Sequence, residues 1–464
     1  MLDPNRAFRP PAPTPHPELL GPFALLRTLR NNPLEAWAQV HFEKLIVPGG
    51  LPIGQVILVN EPDAIRHVLL DNAVNYEKDW LQRRVLSAGL SNGLLTVEKE
   101  QWRVQRRTLL PMFVRKTVTS FAVDMVRAAD ELVTRWRNRG DSCTLDVAAE
   151  VRSLALDVLT RTIFSHGLGR HPEEFRVAMA HFYDTIGKIE PFDVLGVPDF
   201  VPRPSRIRAR PVLRFFHDAI DTLIATRWRQ VAEEPASVPR DLLTLLLEAQ
   251  DPETGSRLCE AEVRANIITF IAAGHETTAN AIAWSLFLLS QSEEWREQVA
   301  AEAERELAGP IEGLAERLTK TRAVIDEAIR LYPPIPVISR AALAADEIGG
   351  HRIRRRTMVV VAPYVLHRHR MLWEEPDLFD PNRFLPGART RIDRFAYLPF
   401  GVGPRVCIGS AFALQEATIV LASIVSNFEL KLAPNQAVWP VLRVTLRPAG
   451  GLQMVVRPRR PTAH

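Results

Sequence analysis

The residues whose types and spacing best suit chemistry lie in Phe400-Gly401-Val402-Gly403-Pro404-Arg405-Val406-Cys407-Ile408-Gly409. A cysteine ends a glycine-punctuated loop immediately before an apolar helical run. Glycines permit a tight turn and a close backbone approach to something flat and bulky. A helix N-terminus lowers a thiol's pKa and stabilises the thiolate. Arg405, two residues upstream, offers a cation to an acidic group of a cofactor. A lone cysteine is more often a small buried hydrophobe. Here loop, arginine and helix start coincide, and a thiolate so presented is what a haem iron requires axially for O–O cleavage.

The decapeptide resembles the haem-binding loop of the cytochrome P450 superfamily, F-x-x-G-x-R-x-C-x-G, at every fixed position: Phe400, Gly403, Arg405, Cys407 and Gly409. The resemblance implies Cys407 as the iron ligand, with Phe400, Arg405 and Gly409 beside a haem b. It also implies a mainly α fold with small peripheral β-sheets, the cytochrome P450 fold, over essentially residues 30–458.

The elements that must position this loop come next. Residues 260–290 form an unusually long run with helical periodicity. In its middle stands Ala272-Ala273-Gly274-His275-Glu276-Thr277-Thr278, poor helix-forming material where propensity should be highest. Thr277 can return its hydroxyl to the carbonyl of Ala273, which would open the helix locally; a kink needed only for packing is the plainer explanation. The A-G-x-E-T-T string resembles the superfamily's oxygen-activating signature. That resemblance makes Thr277 a hydrogen-bond donor to activated dioxygen and Glu276 a proton relay, the two catalytic residues. Ala273 and Gly274 are then small because they lie against the haem. His275 is expected to be a polar residue on the helix surface rather than an iron ligand.

Glu327 and Arg330 stand three apart in D-E-A-I-R-L-Y-P-P, hence on one helical face. Such a pair is usually a solvated surface feature. Followed by Asp380-Pro381-Asn382-Arg383-Phe384, it resembles the superfamily's E-x-x-R helix and P-x-R-F segment, whose Glu and two Arg lock the cysteine loop. Trp102 and Arg106, four apart, together with Arg340 and Arg405, match the haem-carboxylate anchors. Arginine suits carboxylates because its planar fork binds them bidentately. His367-Arg368 followed by Trp373 also recurs in the superfamily, without an assigned role.

The whole chain bounds the reading further. It has 464 residues, a hydrophobic share of 46% and a formal net charge of +4, too mild and dispersed for a nucleic-acid partner. Three widely spaced cysteines, Cys143, Cys259 and Cys407, indicate neither a disulfide framework nor a zinc site and suit a cytoplasmic location. No window offers the ~18 apolar residues a transmembrane anchor needs. Residues 1–29 read as a proline-rich N-terminal segment, and 30–464 as a single haem-thiolate monooxygenase domain. Strands are expected at 54–59, 348–353 and 358–362 and through the last 25 residues; helices at 61–70, 117–137, 148–164 and 211–232.

The resemblance implies electrons from a ferredoxin or flavodoxin with its NAD(P)H reductase, met by the basic residues Arg103, Arg106, Arg107, Arg115 and Lys116. It implies a lipophilic substrate, fatty-acid or terpenoid/steroid-like. The apolar and arginine-rich stretch 189–216 reads as a lid or a membrane-touching surface. A haem-thiolate isomerase or dehydratase is the alternative, disfavoured by the Glu276–Thr277 pair; a non-catalytic haem sensor is another.

Overall fold

A computed structural model describes residues 8–51, 54–87, 90–165, 174–175, 177–178 and 204–459. Of the stretch 189–216, read above as lid or membrane surface, residues 189–203 fall outside the described residues.

The body is a stack of helices: α1 (Pro22–Asn31), α2 (Pro62–Arg66), α3 (Lys99–Leu109), α4 (Ala122–Arg137), α5 (Val147–Phe164), α6 (Pro204–Glu233), α7 (Glu260–Gln291), α8 (Glu293–Leu307), α9 (Thr319–Leu331) and α10 (Ser410–Asn427). Helix α7 is the axis of the molecule. Glu260 and Glu262 complement the dipole at its start, and Glu262 Oε2 accepts the Cys259 N–H at 3.1 Å. Between Val263 and Leu289 its apolar residues are buried on nearly all sides, as expected of a core helix packed by others. Helix α10 is equally apolar, and its Phe412, Ile419, Val420 and Ile424 share one core with α4, α5 and α7. Each such fully buried large apolar side chain contributes about 1.5–3 kcal/mol.

The sheets are peripheral. The largest, ordered β1-β2-β8-β5-β3, comprises Ile46–Leu51, Gly54–Val59, Met358–Val361, Ile338–Ala342 and Tyr76–Glu77. Only β2 and β8 run parallel; the other pairings are antiparallel. Strand β4 (Cys143–Asp146) joins β12 (Gln453–Pro458) and β9 (Phe428–Leu432). Two hairpins complete the set, β6 (Asp346–Ile348) with β7 (His351–Ile353), and β10 (Pro440–Leu442) with β11 (Leu446–Pro448).

Several boundaries differ from expectation for identifiable reasons. The 348–353 run is the turn and second strand of a hairpin, because Gly349 and Gly350 take φ of 51° and 77°. The helix expected over 61–70 ends at Arg66 and continues as a π turn, His67–Asp71. The helix expected from 117 breaks at Phe121 (φ −81°, ψ −3°), leaving Arg115–Ser120 separate from α4. The boundary placed at 29/30 falls inside α1. The described part of the preceding segment is tied to the body: Tyr332 Oη donates to the Pro11 carbonyl at 2.8 Å, and Phe8 packs edge-on to Phe287.

Candidate active site

The cysteine loop is shaped by its glycines. Gly401 and Gly403 have φ of 70° and 76°, and the Cys407 N–H closes back onto the Phe400 carbonyl at 2.9 Å. A Cβ on Gly403 would lie 1.8 Å from the Leu69 carbonyl oxygen, so backbone meets backbone there and no other residue fits. Phe400 packs in a small cluster with Leu414 of α10, Ala281 of α7 and Tyr397. Phe113 bridges the loop's end to α7, touching the Gly409 site and meeting Phe270 edge-on at 5.2 Å.

The expected fall in the Cys407 pKa does not occur. Burial pushes the thiol up; the Gly409 N–H and the Arg106 guanidinium pull the other way and do not prevail. Without a metal the thiolate is therefore disfavoured. The sulfur nonetheless belongs to an exposed residue, so this densely surrounded thiol opens onto an accessible internal face.

The matching face of α7 is equally distinctive. On a helix most of whose residues from Val263 to Leu289 are buried, Ala273 is exposed and Thr277 half-buried, one turn apart on one side. The Thr277 hydroxyl donates to the Ala273 carbonyl at 2.7 Å. The helix is nevertheless continuous from Glu260 to Gln291 and does not open there. Gly274 faces elsewhere: a Cβ would meet the Leu159 methyls of α5 at 3.3–3.4 Å, so the helix crossing alone accounts for its small size. His275 is not a surface residue. It is buried, Nε2 lies 2.9 Å from the Arg152 carbonyl, and burial lowers its pKa to about 4. Glu276 is buried too, with Oε1 3.4 Å from Arg447 Nη1 on β11 and Oε2 without a hydrogen-bond partner among the described residues.

Around the loop's other side cations gather. Arg405 donates to the Val97 carbonyl at 3.0 Å, pairs with Glu98 and lies 4.1 Å over the Trp102 ring. Lys78 is buried and pairs with Glu98 at 3.0 Å; burial and the nearby Arg405 lower its pKa to about 8. Arg340 on β5 is half-buried and donates to the Ser339 carbonyl. Arg106 is half-buried, and its guanidinium makes no hydrogen bond or ion pair among the described residues; burial lowers its pKa. Four cations thus converge with two carboxylates: Glu98, paired directly to two of the cations, and Asp79, whose charge acts on Arg340. An unpaired, half-buried guanidinium in such a cluster is costly unless an anion joins it. Lys78 and Glu98 lie some twenty residues apart and carried no motif. Arg447 was missed for the same reason.

A second network holds the loop from behind. Arg330 and Glu327 are fully buried, with Nε to Oε2 at 2.6 Å and Nη2 to Oε1 at 2.8 Å; Arg383 Nε stands 3.9 Å from Glu327. Arg330 also donates to the carbonyls of His367, Pro376 and Leu378. His367 Nε2 accepts the Leu398 N–H at 2.9 Å, two residues before Phe400. Burial, aided by the Arg330 charge, holds this histidine neutral with a pKa near 3, so Nε2 stays available as an acceptor. The role that sequence left open for His367 is this link between ion pair and loop.

A glycine-shaped loop carrying an exposed cysteine, an accessible hydroxyl-bearing stripe on a core helix and a cluster of excess cations are together the features of a haem-thiolate oxygenase class of site. Comparison with known proteins agrees. The family model described as Cytochrome P450 matches residues 10–456. Cyclooctatin synthase of Streptomyces melanosporofaciens is 33% identical, over 93% of this chain and 92% of its own. Pentalenene oxygenase of Streptomyces avermitilis is 30% identical, over 86% of this chain and 87% of its own. The crystal structure of the cytochrome P450DA heme domain superposes with a TM-score of 0.82 at 26% identity, covering 97% of this chain and 99% of that one. The chain belongs to the cytochrome P450 family and is a cytochrome P450 monooxygenase, a haem-dependent oxidoreductase that takes electrons from a redox partner and binds a lipophilic substrate. Among the described residues no helix is long and apolar enough to cross a membrane.

The residues present fit a haem. The Cys407 thiol would supply a soft donor to the iron, and Arg106, unpaired among the described residues, would with Arg340 suit a pair of carboxylates. The exposed Ala273 leaves room for a flat face.

Proposed function

We propose that this monooxygenase hydroxylates a cyclic terpenoid, with Cys407 as the residue that would ligate the iron of a haem b and Glu276 and Thr277 as the proton-handling pair. A haem so bound supplies the activation of dioxygen. The chain's own residues do the rest. Arg106, Arg340, Arg405 and Lys78 would hold the carboxylates of that group, with Trp102 beneath Arg405 to fix its plane. The Thr277 hydroxyl, beside Ala273 on the accessible stripe, presents acceptor lone pairs at the reacting face and becomes a donor there when it leaves the Ala273 carbonyl. To Glu276, whose buried Oε2 has no hydrogen-bond partner among the described residues, we assign the uptake and release of the proton. The observation that carries the reading is the stripe itself: a small residue and a hydroxyl left accessible in the middle of a core helix.

Terpenoid is favoured over fatty acid because relatives are named for oxidising pentalenene and cyclooctat-9-en-7-ol. Of the basic residues expected to meet a redox partner, Arg107 is clamped by Asp251 and Glu253, and Arg106 is half-buried beside the cysteine loop. Arg103, Arg115 and Lys116 are exposed, and we assign to them the docking of an acidic ferredoxin or flavodoxin. The free thiols of Cys143, Cys259 and Cys407 suit a reducing cytoplasm.

The test is a spin-state titration of the haem-loaded protein with cyclic terpenes, their alcohols and fatty acids, followed by turnover with a surrogate ferredoxin and reductase. Saturable binding and an oxygenated terpenoid product are expected. Binding and oxidation confined to fatty acids would overturn the substrate class.

A further inference from the structure

We propose that Asp346, on the hairpin β6–β7, is a positioning residue for the cysteine loop, acting through the π turn His67–Asp71; the inference rests on Cys407 being the iron ligand. One carboxylate oxygen of Asp346 holds both ends of that turn. Oδ2 lies 2.8 Å from His67 Nε2, the first residue of the turn, and accepts from Asn72 Nδ2, the residue after its last, at 3.0 Å. Tyr76 Oη donates to the same oxygen at 2.6 Å from the buried strand β3. The other oxygen, Oδ1, accepts the Glu347 N–H at 2.8 Å. This is a staple across an inserted helical residue.

A π turn has no strong local preference of its own and is found where something outside the helix requires it. Here the Asn72 N–H reaches the His67 carbonyl at 2.8 Å, five residues back. The widened turn carries Leu69 and Leu70, whose backbone meets the cysteine loop: the Leu69 carbonyl oxygen is the atom that excludes any side chain at Gly403. An α turn in this place would shift these peptides by one position and remove the wall on which Gly403 rests. Gly403 in turn accepts the Val406 N–H at 3.0 Å, one residue before Cys407. The path Asp346, His67–Asn72, Leu69, Gly403, Cys407 is continuous in bonds and contacts.

The experiment uses the full chain in two forms. In the haem-loaded protein, the reduced carbon monoxide spectrum reports thiolate ligation, followed over time in mild urea. Asp346→Ala should shorten the life of the thiolate band at least about fivefold, the scale of a lost charge-assisted hydrogen bond, while Asp346→Asn, which keeps an acceptor oxygen, should fall between. In the apo-protein, hydrogen exchange should quicken in Asp346→Ala at Leu69–Asn72 and at Val402–Val406 together. Should Asp346→Ala not fold, Asn72→Ala removes one arm of the staple and is read in the same way. A variant that loses thermal stability while both the thiolate lifetime and the exchange of Val402–Val406 match the parent overturns the proposal. Absence of the thiolate band in the parent protein would instead overturn the Cys407 reading on which it rests.

Discussion

Consider Arg330→Ala. The guanidinium makes five hydrogen bonds, two to Glu327 and three to the carbonyls of His367, Pro376 and Leu378, and both charged side chains are fully buried. Removing it leaves the Glu327 carboxylate with the Asp380 N–H at 2.8 Å and Arg383 at 3.9 Å. Breaking a buried ion pair from one side costs about 3–5 kcal/mol. The one fully buried carbonyl left without its donor, that of His367, adds about 1–3 kcal/mol, while those of Pro376 and Leu378 are part-buried. The total, about 4–8 kcal/mol, is comparable to the whole stability of a typical domain, about 5–15 kcal/mol. We therefore expect Arg330→Ala to yield no folded haem protein. Arg330→Lys keeps the charge but has three donors for five acceptors, and should fold with a loss of about 2–4 kcal/mol. Trp373 reports the event directly, because the guanidinium sits 5.2 Å above its ring. Urea unfolding followed by tryptophan fluorescence, alongside the reduced carbon monoxide spectrum, gives both stability and loop integrity. An Arg330→Ala protein that unfolds within about 1 kcal/mol of the parent would refute the reasoning, since no such buried pair could then exist in solution.

Three further outcomes follow from the site. Cys407→Ser should abolish the thiolate signature of the reduced carbon monoxide spectrum and monooxygenation with it; unchanged turnover would contradict the ligand assignment. Thr277→Ala should retain haem yet divert reducing equivalents to hydrogen peroxide, measured as product formed per NAD(P)H consumed, and a fully coupled variant would remove the hydroxyl from the proton path. Lys78 gives a pH signature: its folded pKa of about 8 lies below the unfolded value of 10.5, so between these the unfolded chain binds more protons and apo-protein stability gains from rising pH. Haem affinity has the opposite sense, flat below about pH 8 and falling above it as the carboxylate-binding cation is lost, and Lys78→Met should flatten both profiles in calorimetric and haem-transfer titrations.

Much of this was legible in the chain. The decapeptide around Cys407, the A-G-x-E-T-T string and the E-x-x-R pair are local patterns, and local patterns are what a sequence displays without folding. The long apolar run of α7 and the 3.6-residue periodicities likewise declared a helical body with small sheets. Boundaries were lost where conformation is set from outside: the π turn at His67–Asp71 exists under a carboxylate 279 residues away, and the 348–353 hairpin under two glycines with positive φ.

What the tertiary structure decided is which way each group faces and what surrounds it. His275 and Gly274 sit in the same motif as Thr277, yet face α5, because a helix turns 100° per residue and only one side meets the accessible stripe. The upward direction of the metal-free Cys407 shift follows from burial, which outweighs the pull of the Gly409 N–H and of Arg106. Lys78, Glu98 and Arg447 enter the site from separate elements through contacts that no spacing encodes. Residue types fixed what chemistry was available; long-range packing determined burial, charge neighbours and orientation, because those depend on atoms far apart in the chain.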